Sequence, residues 1–177
     1  GLAVVTGDDG IYGTVGALAL FGNKTPDVYM IPQDELSKDY LERLQGYISI
    51  VILGNESVIP QDINKELQDV EIKRIHSESL YEECWLFMKE IWNNGTSRAV
   101  LTAPRHADIY KAYQIAMNES LPMVVCRGNV TPASLEAIEE MTESNTSLTQ
   151  VTVVGRVEDD YTKALRESGV LLEEVSA

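Results

Sequence analysis

Histidine and cysteine are scarce in this sequence, with two of each among 177 residues. Two histidines do not make a metal constellation by themselves, because zinc sites draw on three or four nitrogen, sulfur and oxygen ligands. Two cysteines cannot form the disulfide framework of a small secreted scaffold. Cys84 lies in the apolar run Cys84-Trp85-Leu86-Phe87-Met88, and Cys126 closes the strand-like Met123-Val124-Val125, so both read as buried free thiols. No window approaches the ~20 apolar residues that a membrane-spanning helix requires. The sequence also has no initiator Met and no signal-peptide pattern, and it opens directly on strand-like Leu2–Thr6, as a segment of a longer precursor would. Basic residues are few: 14 Lys and Arg stand against 28 Asp and Glu, a formal net charge of −14. That balance argues against nucleic acid, whose phosphates require clustered Lys and Arg, and against anionic lipid. It describes a solvated acidic surface. No G-x-S-x-G elbow presents a nucleophile.

What is present is ordinary for a globular protein: 44% hydrophobic and 24% charged residues. A chain of this length buries roughly 70% of its unfolded surface without needing a metal or disulfides. Short β-rich apolar runs alternate with amphipathic stretches. Strands are predicted at 2–6, 27–31, 48–53, 70–75, 98–103, 122–126, 149–154 and 169–174. Helices are predicted at 11–22, 34–45, 60–68, 77–93, 106–118, 132–143 and 158–168. Thr131-Pro132 and Ile59-Pro60 supply helix-start prolines, and Ser77 and Ser79 are candidate caps. Strict alternation predicts an α/β fold with a mostly parallel sheet or sheets, right-handed crossovers and helices on both faces.

The pattern repeats within the chain. Ala3-Val4-Val5-Thr6 aligns with Ala99-Val100-Leu101-Thr102, and in each copy a proline comes 20 residues after the threonine, at Pro26 and Pro122. Ile50-Val51-Ile52-Leu53-Gly54 aligns with Val151-Thr152-Val153-Val154-Gly155, and Lys65-Glu66-Leu67 with Lys163-Ala164-Leu165. The organisation expected is a first α/β repeat at 1–75, then 76–177 holding a linking helix and the second repeat.

Three features bear on chemistry. Thr6-Gly7-Asp8-Asp9-Gly10-Ile11-Tyr12-Gly13 lies after a strand and opens a helix, with glycines spaced as in the dinucleotide loop of extended short-chain dehydrogenases. This leaves a nucleotide- or NAD(P)-binding enzyme as the alternative function. Against it, Asp8 and Asp9 put two negative charges where a pyrophosphate would sit, and no Tyr-x-x-x-Lys pair occurs downstream. His106 stands with Arg105 and Asp108 at a helix start, a setting commoner for capping than for catalysis, and His76 stands apart. Acidic pairs at Asp8-Asp9 and Asp159-Asp160 suit helix N-termini. Finally, 6 of 8 asparagines lie in Asn-x-Ser/Thr sequons: Asn23, Asn55, Asn94, Asn118, Asn129 and Asn145. With 23 Ser and Thr in 177 residues, chance supplies roughly one. The excess points to an extracytoplasmic, glycosylated setting, with Pro26 and Pro132 lowering occupancy at Asn23 and Asn129.

Three stretches carry a family resemblance. Val51-Ile52-Leu53-Gly54-Asn55-Glu56-Ser57-Val58-Ile59 looks like a strand, glycine turn and Val/Ile-Ser motif, continuing to Lys73-Arg74-Ile75. His76-Ser77-Glu78-Ser79-Leu80-Tyr81-Glu82 resembles a helix start of the form Gly-x-Asp-Arg-Tyr-Glu-Thr, with Ser79-Leu80 in place of Asp-Arg. Ala99-Val100-Leu101-Thr102 and Leu121-Pro122-Met123-Val124-Val125 match paired strands. Together they resemble the cell-wall-binding repeat type 2 family, found on bacterial and archaeal surface proteins. The resemblance implies a Rossmann-like, non-enzymatic module that attaches a surface protein to envelope polysaccharide or to neighbouring surface-layer subunits, with no cofactor. Parallel α/β sheets bind ligands beyond the carboxyl ends of their strands. The candidate ligand-binding residues are therefore Thr6, Gly7, Asp8, Asp9, Gly54, Asn55, Thr102, Arg105, His106, Arg127, Gly155 and Arg156. Arg74, Arg98, Arg105, Arg127 and Arg156 could form a local basic patch on the acidic chain.

Overall fold

The structure of the chain, a computed structural model, describes residues 2–7, 27–31, 37–54, 59, 63–77, 79–91, 97–143 and 148–177. Its strands are β1 Leu2–Thr6, β2 Asp27–Met30, β3 Ser49–Leu53, β4 Glu71–Ile75, β5 Arg98–Thr102, β6 Met123–Val125, β7 Gln150–Val154 and β8 Leu171–Val175. Its helices are α1 Lys38–Leu44, α2 Ile63–Glu66, α3 Leu80–Ile91, α4 His106–Glu119, α5 Pro132–Glu143 and α6 Asp159–Glu167. The helix expected at 11–22 lies outside the described residues.

The strands form two four-stranded parallel sheets, ordered β2-β1-β3-β4 and β6-β5-β7-β8. The two halves thus repeat one topology, and the register of the central pairs repeats too: Thr6 lies opposite Leu53, and Thr102 opposite Val154. The central strands β1, β3, β5 and β7 are buried on both faces, which explains their unbroken apolar runs. Edge strands β4 (EIKRI) and β8 (LLEEV) carry charge and are partly exposed, which blunts edge-to-edge pairing.

Element ends obey local chemistry. Ser37, Ser79 and Thr131 accept from the backbone N–H of Tyr40, Glu82 and Ser134, capping α1, α3 and α5. The eighth strand begins at Leu171 rather than at the expected 169. Gly169 adopts φ +82°, and Val170 N–H returns to Leu165 C=O at 3.0 Å, so these residues close α6 before the strand starts.

Helix α3 belongs to both halves. Phe87, with Leu86, packs on the face of the first sheet formed by Val4, Val51, Leu53 and Ile75. Cys84, Trp85 and Met88 pack into the second half beside Ala137, Ile138 and Met141 of α5. The Trp85 ring stacks on Tyr161 of α6 at 5.8 Å and 6°. Fully burying side chains of this size contributes roughly 1.5–3 kcal/mol each, so α3 is held from both sides by apolar contact.

Candidate functional site

In a sheet ordered 2-1-3-4 the chain leaves β1 toward one edge and β3 toward the other. The two loops diverge, and a crevice opens beyond the carboxyl ends of that central pair. In the second sheet this switch point falls between β5 and β7. A cavity of about 770 Å³ opens there, walled by Arg105 and Asp108 after β5, Gly155 and Arg156 after β7, and Asp159 and Arg166 of α6.

Its inner wall is built by a close approach. Helix α4 buries one stripe, Asp108, Ala112 and Ala116, against the sheet. The stripe has the i, i+4, i+8 spacing of a packed helix face, but its first member is an acid. Asp108 is only 5% exposed. Gly155 turns the chain at φ +75°, and a Cβ there would stand 2.5 Å from the Asp108 Cγ and Oδ2. Glycine is required twice over, for its conformation and for the space. Among the described residues Asp108 Oδ2 has no hydrogen-bond partner, and Arg105 Nε is 4.0 Å away. Position in the first turn of α4 places the acid at the positive end of the helix dipole.

Arg105, Arg127 and Arg156 come after three adjacent strands, β5, β6 and β7, at one end of the second sheet. The Arg127 guanidinium lies 5.9 Å from the Tyr81 ring centroid, outside the cavity wall. Arg166, which sequence reasoning did not single out, lines the cavity and stands 3.8 Å from Glu174. Arg74 is used within the first half, donating to Gly54 C=O at 3.0 Å and Ile59 C=O at 2.7 Å. Arg98 pairs with Glu119 at 2.7 Å, at the amino end of β5. The arginines gathered at the cavity are therefore 105, 156 and 166.

The other expected positions are dispersed. Thr6 and Thr102 are buried, and each hydroxyl donates to the carbonyl of the next residue at 3.0 Å. Gly7 is buried, Gly54 has φ 124°, and His106 is exposed in the first turn of α4. Asp8, Asp9 and Asn55 lie outside the described residues, as does the glycine loop beyond Gly7. Of the sequons, Asn118 and Asn129 are exposed; Asn23, Asn55, Asn94 and Asn145 lie outside the described residues. Asp160 Oδ2 accepts from Val130 N–H at 2.8 Å, which pins the Asn129 loop to α6. His76 Nδ1 lies 3.2 Å from Oε2 of buried Glu83. Cys84 and Cys126 are buried and not joined in a disulfide. Burial pushes the Cys84 thiol up to about 12 and raises that of Cys126 as well, so neither is a ready nucleophile. Among the described residues no group of three His, Cys, Asp or Glu is placed to hold a metal ion, and no helix is long and apolar enough to cross a membrane.

No protein-family model matches the chain, and no curated protein matches it. Among solved structures, the chain is similar to Cwp6 from Clostridium difficile, with a TM-score of 0.68 and 15% identity over 99% of this chain. It spans 29% of the length of that structure. At that identity the likeness concerns the fold. The Zn(II)-bound AdcAII of Streptococcus pneumoniae aligns at a TM-score of 0.33 and 12% identity, covering 99% of this chain and 88% of that one. The Zn(II)-bound ZnuA-like domain of Streptococcus pneumoniae AdcA aligns at 0.31 and 15%, covering 99% and 87%. Scores at that level carry no argument about this chain.

Proposed function

We propose that this chain is a non-enzymatic, extracytoplasmic surface module that uses the crevice beyond β5 and β7 to hold an envelope polymer. The observation that carries the reading is the gathering of Arg105, Arg156 and Arg166 around one cavity on a chain of net charge −14. Exposed Arg105 and Arg156 offer charge-assisted donors to an anionic group of the polymer, on a chain whose overall field repels one. Fold likeness to Cwp6, a cell wall protein, supports the same compartment. The excess of sequons agrees with it. The described residues of the cavity wall offer arginines and carboxyl groups, an arrangement suited to binding.

The test is calorimetric titration of the protein with polymer isolated from its native envelope. Arg105→Ala with Arg156→Ala lowers affinity by about tenfold or more, as expected for two charge-assisted contacts, while the circular dichroism spectrum stays unchanged. Unaltered affinity in a folded double variant would remove the cavity from the binding site.

A further inference from the structure

The same cavity contains a group that binding of a simple anion does not use. Asp108 is buried, lines the cavity, and has a carboxyl oxygen with no hydrogen-bond donor among the described residues. A buried oxygen of this kind carries a desolvation penalty that a donor would relieve. Two residues stand nearest to it. Gly155 lies on the β7 side, where an added Cβ would stand 2.5 Å from the carboxyl group. Arg105 stands 4.0 Å away, too far for a hydrogen bond, and its side chain is 82% exposed. Arg105 is therefore the piece able to move. Arg156 is exposed, with no ion pair among the described residues.

A purely anionic ligand would meet three arginines and also the carboxyl groups of Asp108, Asp159 and Glu174, which oppose it. A purely cationic ligand would meet those acids but also the arginines, of which Arg166 already pairs with Glu174. The arrangement is balanced for a ligand with both charges a few bonds apart. Among the described residues no aromatic side chain lines the cavity, so the recognition argued here rests on charge.

We infer that the cavity is a receptor for a zwitterionic unit, an amino sugar with a free amine and a phosphate. The protonated amine donates to Asp108 Oδ2, taking the place beside it that Arg105 now occupies. Arg105 turns outward and, with Arg156, clamps the phosphate. This rests on the reading of the cavity as the ligand site and names the chemistry it takes.

The experiment uses the full chain and four titrants: glucosamine 6-phosphate, N-acetylglucosamine 6-phosphate, glucosamine and the isolated envelope polymer. Glucosamine 6-phosphate binds saturably and about tenfold or more tighter than either other small probe. Asp108→Asn, which keeps size and shape, removes that advantage, so that the two phosphates bind the variant about equally. If Asp108→Asn fails to fold, the acetylated and free amines compared on the wild-type chain decide alone. Equal binding of the two phosphates overturns the inference. With the polymer still bound in an Arg156-dependent way, that result leaves the surface-module reading standing. If neither the polymer nor any probe binds, both fall together.

Discussion

Replacing Gly155 by alanine tests the cavity wall most directly. Gly155 sits at φ +75°, where an L side chain costs roughly 1–2 kcal/mol. The added Cβ would also stand 2.5 Å from the Asp108 Cγ and Oδ2 and 2.8 Å from Oδ1, well inside contact distance. Something has to shift. Gly155 is tied into the sheet by its N–H to Val175 C=O at 2.9 Å, so the short Asp108 side chain is what gives. Displacing a buried carboxyl group costs about 1–3 kcal/mol more. The sum is about 2–5 kcal/mol, which lowers Tm by ~5–15 °C in a chain of this length. Gly128 and Gly169 supply internal controls. They have φ +71° and +82°, and an added Cβ meets nothing within 4 Å at either. Alanine there costs only the conformational part, about 1–2 kcal/mol. The assay is urea denaturation monitored by circular dichroism on the three glycine variants, on Asp108→Ala and on the double variant Gly155→Ala with Asp108→Ala. Truncating Asp108 makes room, so the double variant is more stable than the sum of the singles by about 1–3 kcal/mol. A Gly155→Ala variant no less stable than Gly128→Ala, with no coupling in the cycle, would refute the close approach and the cavity built upon it.

Two further outcomes are expected. Stability is flat from neutral pH to about 9 and then falls. Burial raises the Cys84 thiol from 9.0 to about 12, and burial also raises the Tyr161 hydroxyl from 10.0 to about 12. The native state thus holds protons that the unfolded chain releases, and stability is lost as pH climbs through that window. Urea midpoints at pH 7, 9 and 10.5 check this, and a midpoint that rises above pH 9 would contradict it. Glycan occupancy, read by mass spectrometry of protein from its native host, is expected to be higher at Asn118 than at Asn129. Thr131 of the second sequon spends its hydroxyl capping α5 and stands directly before Pro132, whereas Asn118 lies exposed near the end of α4.

The fold is legible in the sequence because strands buried on both faces leave unbroken apolar runs. Val51-Ile52-Leu53 and Val151-Thr152-Val153-Val154 announce central parallel strands without tertiary information. Element ends are less legible. The apolar pattern starts β8 two residues early because Gly169-Val170, apolar enough to pass for strand, closes α6 instead. Part of the site is legible too. The strand-end rule puts Arg105 and Arg156 in loops that converge on one cavity. Arg166 gives no such signal, since a basic residue late in an amphipathic helix has the ordinary signature of a C-terminal charge. Asp108 does leave a signal: it falls in register with Ala112 and Ala116 on the buried face of α4, where an acid is out of place. Helical periodicity locates that face, but the glycine that makes room for the acid lies 47 residues further along the chain and meets it only in the fold.

The two halves share backbone devices so closely that the difference between them isolates the chemistry. Thr6 and Thr102 both donate to the next carbonyl along the chain at 3.0 Å. Their own carbonyls accept from Ile31 and Cys126 at 2.9 and 2.8 Å. Gly54 and Gly155 both have positive φ and both donate to the end of the neighbouring edge strand, at Ile75 and Val175. Such bonds set strand register and turn geometry, and they would be needed whether or not either crevice held a ligand. The side chains just past each turn differ. Counting from Thr6 and Thr102, the residue corresponding to Asp108 is Tyr12, and the residue after the glycine is Asn55 in one half and Arg156 in the other. Gly54 C=O is already taken by Arg74, while nothing of that kind fills the turn at Gly155 among the described residues. A fold that needed paired charges for stability would carry them twice. Among the described residues the Asp108–Arg105 pair stands beside the second crevice, as the binding role proposed above expects.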